Sequence, residues 1–356
     1  MSVNASGSAV LQTPYIDAVT SVKKGYLDVK QHKWIMPEWV KGWIALIPAL
    51  IFLIVFMIYP ILNSFMISFI NNFYWVGGSN SSLAIVNFIA SFQNTRSSVV
   101  QSFGFGNYIA VFKDPLFWQA LGNTGMIVIV EVPLTIIVAL ILAVCLNAIK
   151  PLKGFYQTVF FLPYVTNAIA LGMVFNVMFA SGAGGLFNTL LGWFGASPVN
   201  WLGTGASKWS MFLVIVVYAV WTGLAFKILV FMSGLATIDK QYYDAARIDG
   251  ASKVSIFARI TVPLLSPQIL YITVTSFIGA AKAYSQIISL FGAGPINFGG
   301  TDGTVWITIV GFIYKYMQST NESALGRAAA GSVILLIIIL LLTLVQFAVS
   351  KNRVHY

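Results

Sequence analysis

Residues 240–267 read KQYYDAARIDGASKVSIFARITVPLLSP, a basic island lying between two segments apolar enough to cross a membrane. Its spacing predicts a short helix over Tyr242 to Ile248, a break at Gly250 and a second amphipathic run to Ile260, with Pro263 and Pro267 where the next apolar segment begins. The small side chains of Ala245 and Ala246 permit close approach by another protein, and Asp244 and Arg247 offer charged anchors beside them. The same basic residues would equally hold the segment on lipid headgroups. The chemistry of the loop alone leaves both readings open.

On either side of this island the chain is strongly apolar. Of its 356 residues 58% are hydrophobic and 8% charged, where a soluble domain carries about 25% charged residues. This composition predicts an all-α integral membrane protein. Runs long enough for roughly 30 Å of hydrocarbon at about 1.5 Å per residue fall at 43–70, 121–149, 157–181, 210–235, 267–290 and 328–350, which makes six transmembrane helices. The segment Val305 to Met317 is too short to cross and carries Lys315 near its end, so it reads as an interfacial or re-entrant helix. Pro48, Pro60, Pro133 and Pro163 lie within or near spans and would each remove a backbone hydrogen bond; ordinary helix irregularity accounts for them without a dedicated hinge. The Ser-, Asn- and Gly-rich stretch 76–103 suits a solvated loop or ordered cap, and 291–304, FGAGPINFGGTDGT, an irregular turn.

Lysine and arginine set the orientation. With six spans both termini share a side, and that side collects Lys23, Lys24, Lys30, Lys33, Lys41, Lys150, Lys153, Lys240, Arg247, Lys253, Arg259, Lys351 and Arg353. The other side holds only Arg96, Lys113, Lys208, Lys315 and Arg327, so the island at 240–267 and both termini are expected in the cytoplasm. The net charge of +10 is thus spent in short flanks of apolar runs rather than on one face, which argues against a nucleic-acid partner. A single cysteine, Cys145, and two distant histidines, His32 and His355, exclude an internal disulfide and disfavour a metal site. The polar first 40 residues contain no early apolar core of the secretory kind, so the first span reads as an uncleaved anchor.

The run Asp244-Ala245-Ala246, three residues, Gly250, nine residues, Ile260, one residue, Val262-Pro263 resembles the EAA loop of permease subunits in binding-protein-dependent ABC importers. The family has Glu where this chain has Asp244 and Leu where it has Val262; the spacing is the same throughout. The fuller string YYDAARIDGAS, the segment FGNYIAVFKDPLFWQALGNT at 105–124 and the Gly-Pro turn at 294–295 are similar to the carbohydrate-uptake branch, in particular to the larger of two paired permeases, as in the maltose importer. The resemblance covers about residues 43–350 and implies a cytoplasmic basic leader at 1–42, a six-helix permease domain at 43–350 with an outer loop at 71–118 and a coupling loop at 240–267, and a tail at 351–356. It implies that Asp244, Ala245, Ala246 and Gly250 dock into a cytoplasmic ATPase while Ile260 and Pro263 fix the loop to the base of the fifth span. It further implies a second permease, two ATPase subunits, an extracytoplasmic substrate-binding protein, the bacterial inner membrane as location, and no cofactor or enzyme activity in this chain, ATP being bound by the partner. Consistently, the chain has no GxxxxGK[ST] phosphate loop.

Polar residues inside the spans mark a candidate pathway. Thr275, Gly279, Lys282, Gln286 and Ser289 recur at steps of four, three, four and three, which places them on one face of a continuous helix, lining a path for solute hydroxyls or packing against a neighbour. Glu131 and Lys282 lie at similar depth in the second and fifth spans and are expected to meet as an ion pair. In a secondary transporter or channel, the reading from another class, they would be proton-coupling groups; in an ABC importer an unpaired Lys282 would instead point to an acidic polysaccharide or a glycerol phosphodiester. Lys227 has a stem long enough to snorkel toward the cytoplasm, and Tyr218 and Trp221, one turn apart, could stack on a sugar ring or face lipid or protein.

Overall fold

The computed structural model describes residues 37–71, 73, 102–149, 153–182, 184–292, 297–319 and 324–350. The expected leader up to residue 36, most of the loop at 76–103, the Gly-Pro turn at 294–295 and the tail at 351–356 lie outside the described residues. The chain divides into two compact units, residues 1–60 and 61–356. Of the first, the described part is α1 (Glu38–Leu53), which passes into a π turn at Ile54–Ile58 six residues after Pro48 and buries none of its side chains.

The second unit begins within α2 (Tyr59–Ser68) and continues through a two-residue antiparallel ladder, β1 (Ile70–Asn71) with β2 (Ser102–Phe103), to α3 (Gly106–Lys113) and the 34-residue α4 (Pro115–Ala148). Asp114 caps α4 by accepting from the Leu116 amide, and Pro115 at its first position needs no hydrogen-bond partner there. Then come α5 (Lys153–Val165), α6 (Ala168–Met178), α7 (Leu186–Trp193) and α8 (Lys208–Thr237). The loop of α9 (Lys240–Ile248), α10 (Lys253–Ile256), a π turn at Phe257–Thr261 and α11 (Val262–Leu264) leads into α12 (Ser266–Ala281). Finally α13 (Ser285–Phe291), α14 (Ile309–Met317) and α15 (Ala324–Ser350) close the chain.

Four helices, Glu38–Ser68, α4, α8 and α15, are long and apolar enough to cross a membrane, and two bent pairs raise the total to as many as six. The third expected run is one of these pairs. α5 and α6 meet at 100° just beyond Pro163, and Asn167 caps the new helix by accepting from the Ile169 and Ala170 amides. The fifth is the other. Residues 253–264 and α12 meet at 68°, and the span that the sequence carries to residue 290 stops at Ala281, restarting as α13.

Lipid is as apolar as leucine, so these helices hold together by close packing more than by removal of surface from water. Glycines sit where backbones approach: a Cβ on Gly234 of α8 would lie 2.8 Å from Leu265 and Gln268, and one on Gly326 of α15 would lie 2.5 Å from the Asn107 amide of α3. Toward one end, Phe117, Phe298, Trp306 and Phe312 form an aromatic core. The segment before α14 is strapped to α4: the Asn123 amide donates to the Val305 and Ile307 carbonyls (both 2.9 Å), and the Thr124 hydroxyl accepts from the Ile309 amide at 3.0 Å. The short α14 therefore packs inside the protein, not flat on the lipid surface. Toward the other end, Leu140, Phe231, Leu265 and Ile272 form a second core.

Candidate functional site

Between the two cores lies a cavity of about 400 Å³ walled by α4, the α5–α6 corner, α8, α12 and α13. Its volume falls in the ~300–1,000 Å³ range of small-molecule sites. Glu131 of α4 and Lys227 of α8 both line it, each only 9% exposed. Lys227 does not snorkel: its Nζ turns back to donate to the Gly223 carbonyl at 3.3 Å. A Cβ on Gly223 would lie 2.9 Å from that Nζ, so the glycine leaves the ammonium its room. Glu131 and Lys227 thus share one cavity. They nevertheless form no ion pair; among the described residues the one ion pair is Arg247–Asp244, at 3.2 Å. Glu131 Oε2 is buried and has no hydrogen-bond partner.

The expected pairing of Glu131 with Lys282 is not formed. Lys282 caps the broken end of α12, is exposed, and does not line the cavity. The stripe through Thr275, Gly279, Lys282, Gln286 and Ser289 presupposed one continuous helix. With the break at 282–284, Thr275, Gly279 and Gln286 reach the cavity while Ser289 turns into α6. Tyr218 is buried, donating its hydroxyl to the Ala168 carbonyl at 2.6 Å, and Trp221 packs on Phe175 with ring centroids 5.3 Å apart. Neither lines this cavity. Its aromatic wall is Tyr164 and Phe226, stacked at 6.0 Å and 18°. No sequence pattern singles these two out; they meet where α5 packs on α8.

A second, polar cavity of about 320 Å³ lies further along the same helix pair, lined among others by Asn176 and Phe179 from α6 and its end, Phe291 of α13, and Asn297. Between the two, α6 and α13 touch. A Cβ on Gly172 would overlap the Ser289 side chain, and the Asn176 amide donates to the Leu290 carbonyl at 2.5 Å. The Gly172–Ser289 contact thus packs α6 closely on α13.

At the far end of α8 the loop expected to be helix, glycine, helix has that form. Asp239 caps α9 by accepting from the Gln241 amide. Gly250, at φ +73°, ends it: the Ala251 amide reaches back to the Ala246 carbonyl at 2.9 Å and the Gly250 amide to that of Arg247 at 3.1 Å. Ser252 then caps α10, and the Tyr243 hydroxyl lies 3.4 Å from that of Thr261. Ala246 is buried within the loop and Ala245 is exposed; Asp244 is partly exposed, bonded to Arg247. Ile260 and Pro263 lie partly buried in the turn leading to α12. Sequence reasoning passed over Ile248 and Val254, 87% and 76% exposed, which project from this loop.

Long apolar helices around a cavity that holds a buried Glu131 and Lys227, with a capped helical hairpin at one end, have the build of a membrane transport component. Residues 132–354 match the binding-protein-dependent transport system inner membrane component family, and the chain belongs to that family. It is 31% identical over 319 residues to the lactose transport system permease protein LacF of Rhizobium radiobacter, an alignment spanning 88% of this chain and 95% of that protein. It is 30% identical over 312 residues to the trehalose/maltose transport system permease protein MalF of Thermococcus litoralis, spanning 88% and 94%. In fold it is similar to a chain of a bacterial alginate ABC transporter solved with an alginate pentasaccharide-bound periplasmic protein (TM-score 0.69, 18% identity, 94% and 96% covered). It is accordingly a transport subunit of the membrane and not an enzyme.

Proposed function

We propose that this chain is one permease subunit of an ATP-driven importer for a sugar or oligosaccharide. It crosses the bacterial inner membrane six times, the bent pairs each counting as one span, with both termini and the loop around α9 in the cytoplasm. The domain limits are those of the sequence: leader 1–42, permease 43–350 and tail 351–356. Two ATPase subunits bind ATP, a second permease completes the pathway, and an extracytoplasmic binding protein delivers the solute. This chain holds no cofactor of its own.

The observation that carries the reading is the hairpin of α9 and α10. A doubly capped helix pair that leaves Ile248 and Val254 largely exposed offers an apolar surface that another protein can cover. Asp244, Ala245, Ala246 and Gly250 lie on or beside that surface, and Ile260 and Pro263 tie it to α12, so that a push on the hairpin is delivered to the helix bordering the cavity. The relatives named above, permeases of lactose and trehalose/maltose transport systems, support a sugar as cargo.

Co-purification tests it. The wild-type chain should bring down an ATPase and support ATP-dependent sugar uptake in the assembled complex, and Ile248→Asp or Gly250→Asp should lose both. Ion-gradient-driven uptake by this chain alone would overturn the reading.

A further inference from the structure

The short helix α3 has two faces, and the core uses only one of them. Asn107 and Val111, one turn apart, are buried and hold the helix down. The Asn107 amide donates to the Ser68 and Ile70 carbonyls at 3.1 and 2.9 Å, and the Tyr108 hydroxyl lies 2.7 Å from that of Ser68. On the other side Phe105, Ile109 and Phe112 follow at steps of four and three, which makes them a single helical face. Phe103 and Trp118 extend that face at its two ends, and the five side chains are between 48% and 69% exposed. Phe69 stacks on Phe103 at 5.5 Å and meets Phe105 edge-on at 5.4 Å, joining both to Phe65 on the last turns of α2. Trp118 lies across Phe112 with ring centroids 6.2 Å apart, fixed by its indole N–H, which donates to the Phe112 carbonyl at 2.8 Å.

This apolar face lies at the end of the bundle opposite the α9–α10 hairpin. The Gln119 amide donates to the Thr304 carbonyl at 2.9 Å and the Trp306 indole to the Lys208 carbonyl at 3.1 Å, so residues 304–306 tie the start of α4 to the start of α8, whose far end leads into the hairpin. Trp209, also exposed, stands in that first turn of α8. One extended residue, Asp114, separates α3 from the apolar α4, and Phe69 joins its exposed face to the end of the apolar span Glu38–Ser68. The ends of such spans are where hydrocarbon gives way to headgroups, and tryptophan is enriched at that level. The charges agree. Lys113 is exposed beside Phe112, while the neighbouring acid Asp114 has both carboxylate oxygens bonded, one to the Leu116 amide and the other to the Tyr316 hydroxyl. We propose that α3 is an interfacial helix, lying in the plane of the membrane with Phe105, Ile109 and Phe112 inserted into the lipid and Lys113 at the level of the phosphates. The proposal goes beyond the importer reading and requires only that the chain is a membrane protein. It takes residues 103–118, which the sequence suggests as part of an outer loop, into the lipid-bound surface. Through Asn107 that anchor bears on the end of α2 and on Gly326 of α15.

Fluorescence quenching in vesicles tests it. Cys145 is the single cysteine, so Cys145→Ser gives a background in which Phe105→Cys and Ile109→Cys are each labelled with the fluorophore NBD. The full chain, assembled with the subunits that purify with it, is reconstituted in phosphatidylcholine and phosphatidylglycerol. Asp302→Cys, at an exposed position in the loop at the same end, is the aqueous reference. An interfacial helix buries its apolar face about 5–10 Å into the boundary between headgroups and acyl chains. A lipid spin label near the glycerol end of the acyl chain should therefore quench both α3 sites roughly twofold more than one near the methyl end, and aqueous iodide should quench them roughly threefold less than the Asp302 site. Iodide quenching equal to that at Asp302 would mean a solvated helix. Protection from iodide and from both lipid labels would mean that a protein covers the face, and stronger quenching from the methyl end would mean a helix sunk into the bilayer core. Each of these results overturns the proposal. Both sites point away from the core, so the second reads the same face if a label at the first disturbs the chain. ATP hydrolysis by the same vesicles reports separately on the importer reading, so either can fail alone.

Discussion

Gly172→Ala tests the close packing of α6 on α13. In an ordinary helix the change would stabilise, since alanine is favoured over glycine by about 0.8–1 kcal/mol. Here the new methyl overlaps the Cβ and Oγ of Ser289 and comes within 3.1 Å of its carbonyl carbon, where ordinary contact begins at 3.4 Å. Clearing the side chain requires α6 and α13 to part by about 1 Å, and overpacking of this kind costs about 1–3 kcal/mol. The clash should win. We expect a lowered melting temperature in detergent, a strained Asn176–Leu290 hydrogen bond, and, in the assembled complex, ATP hydrolysis less tightly coupled to uptake. The size of the residue at 289 should set the degree of rescue. Ser289→Ala removes the Oγ overlap and leaves that of Cβ, so it should restore part of the loss; Ser289→Gly removes both and should restore nearly all. A Gly172→Ala protein that melts at or above the wild-type temperature with normal coupling, or one that Ser289→Gly fails to rescue, would refute the idea that this contact holds the helices closed.

Gly250→Ala forces an L side chain to φ +73°, at a cost of about 1–2 kcal/mol; retained ATPase should fall in a pull-down, and Gly250→Asn, better suited to that region, should fall less. Asn123→Leu would leave the Val305 and Ile307 carbonyls without their amide donor, so the melting temperature should drop in line with about 1–3 kcal/mol. Asn123→Asp, of equal size but unable to donate when ionised, should melt no higher than the leucine variant. Gly326→Ala should destabilise by driving into Asn107, and Asn107→Ala in the same chain should recover part of the loss although it gives up the bonds to the Ser68 and Ile70 carbonyls, a balance that melting curves of the three variants resolve.

Much of the fold is local and therefore legible. The ends of α4, α6, α9 and α10 follow from Asp114, Asn167, Asp239 and Ser252, each of which caps from its own position in the chain, and the end of α9 follows from Gly250. Apolar run length predicts the four long helices to within several residues of their ends. The candidate site is legible only in part. Glu131, Thr275, Gly279 and Gln286 can be picked out as polar groups in apolar runs, and the structure brings them to one cavity.

The sequence by itself determined that this is a helical membrane protein, where its long helices run, and the form of its exposed hairpin, because each depends on hydropathy or capping within a few residues. Only the tertiary structure decided that Glu131 shares a cavity with Lys227 and not with Lys282, that Tyr164 and Phe226 wall that cavity in place of Tyr218 and Trp221, and that α6 packs closely on α13. The physical reason is packing between helices far apart in the chain, together with the breaks at 166–167 and 282–284. Each break sits inside a run whose mean hydropathy stays high despite Thr166 and Asn167 or Lys282, so run length passes over it, yet it turns the chain beyond it in a new direction.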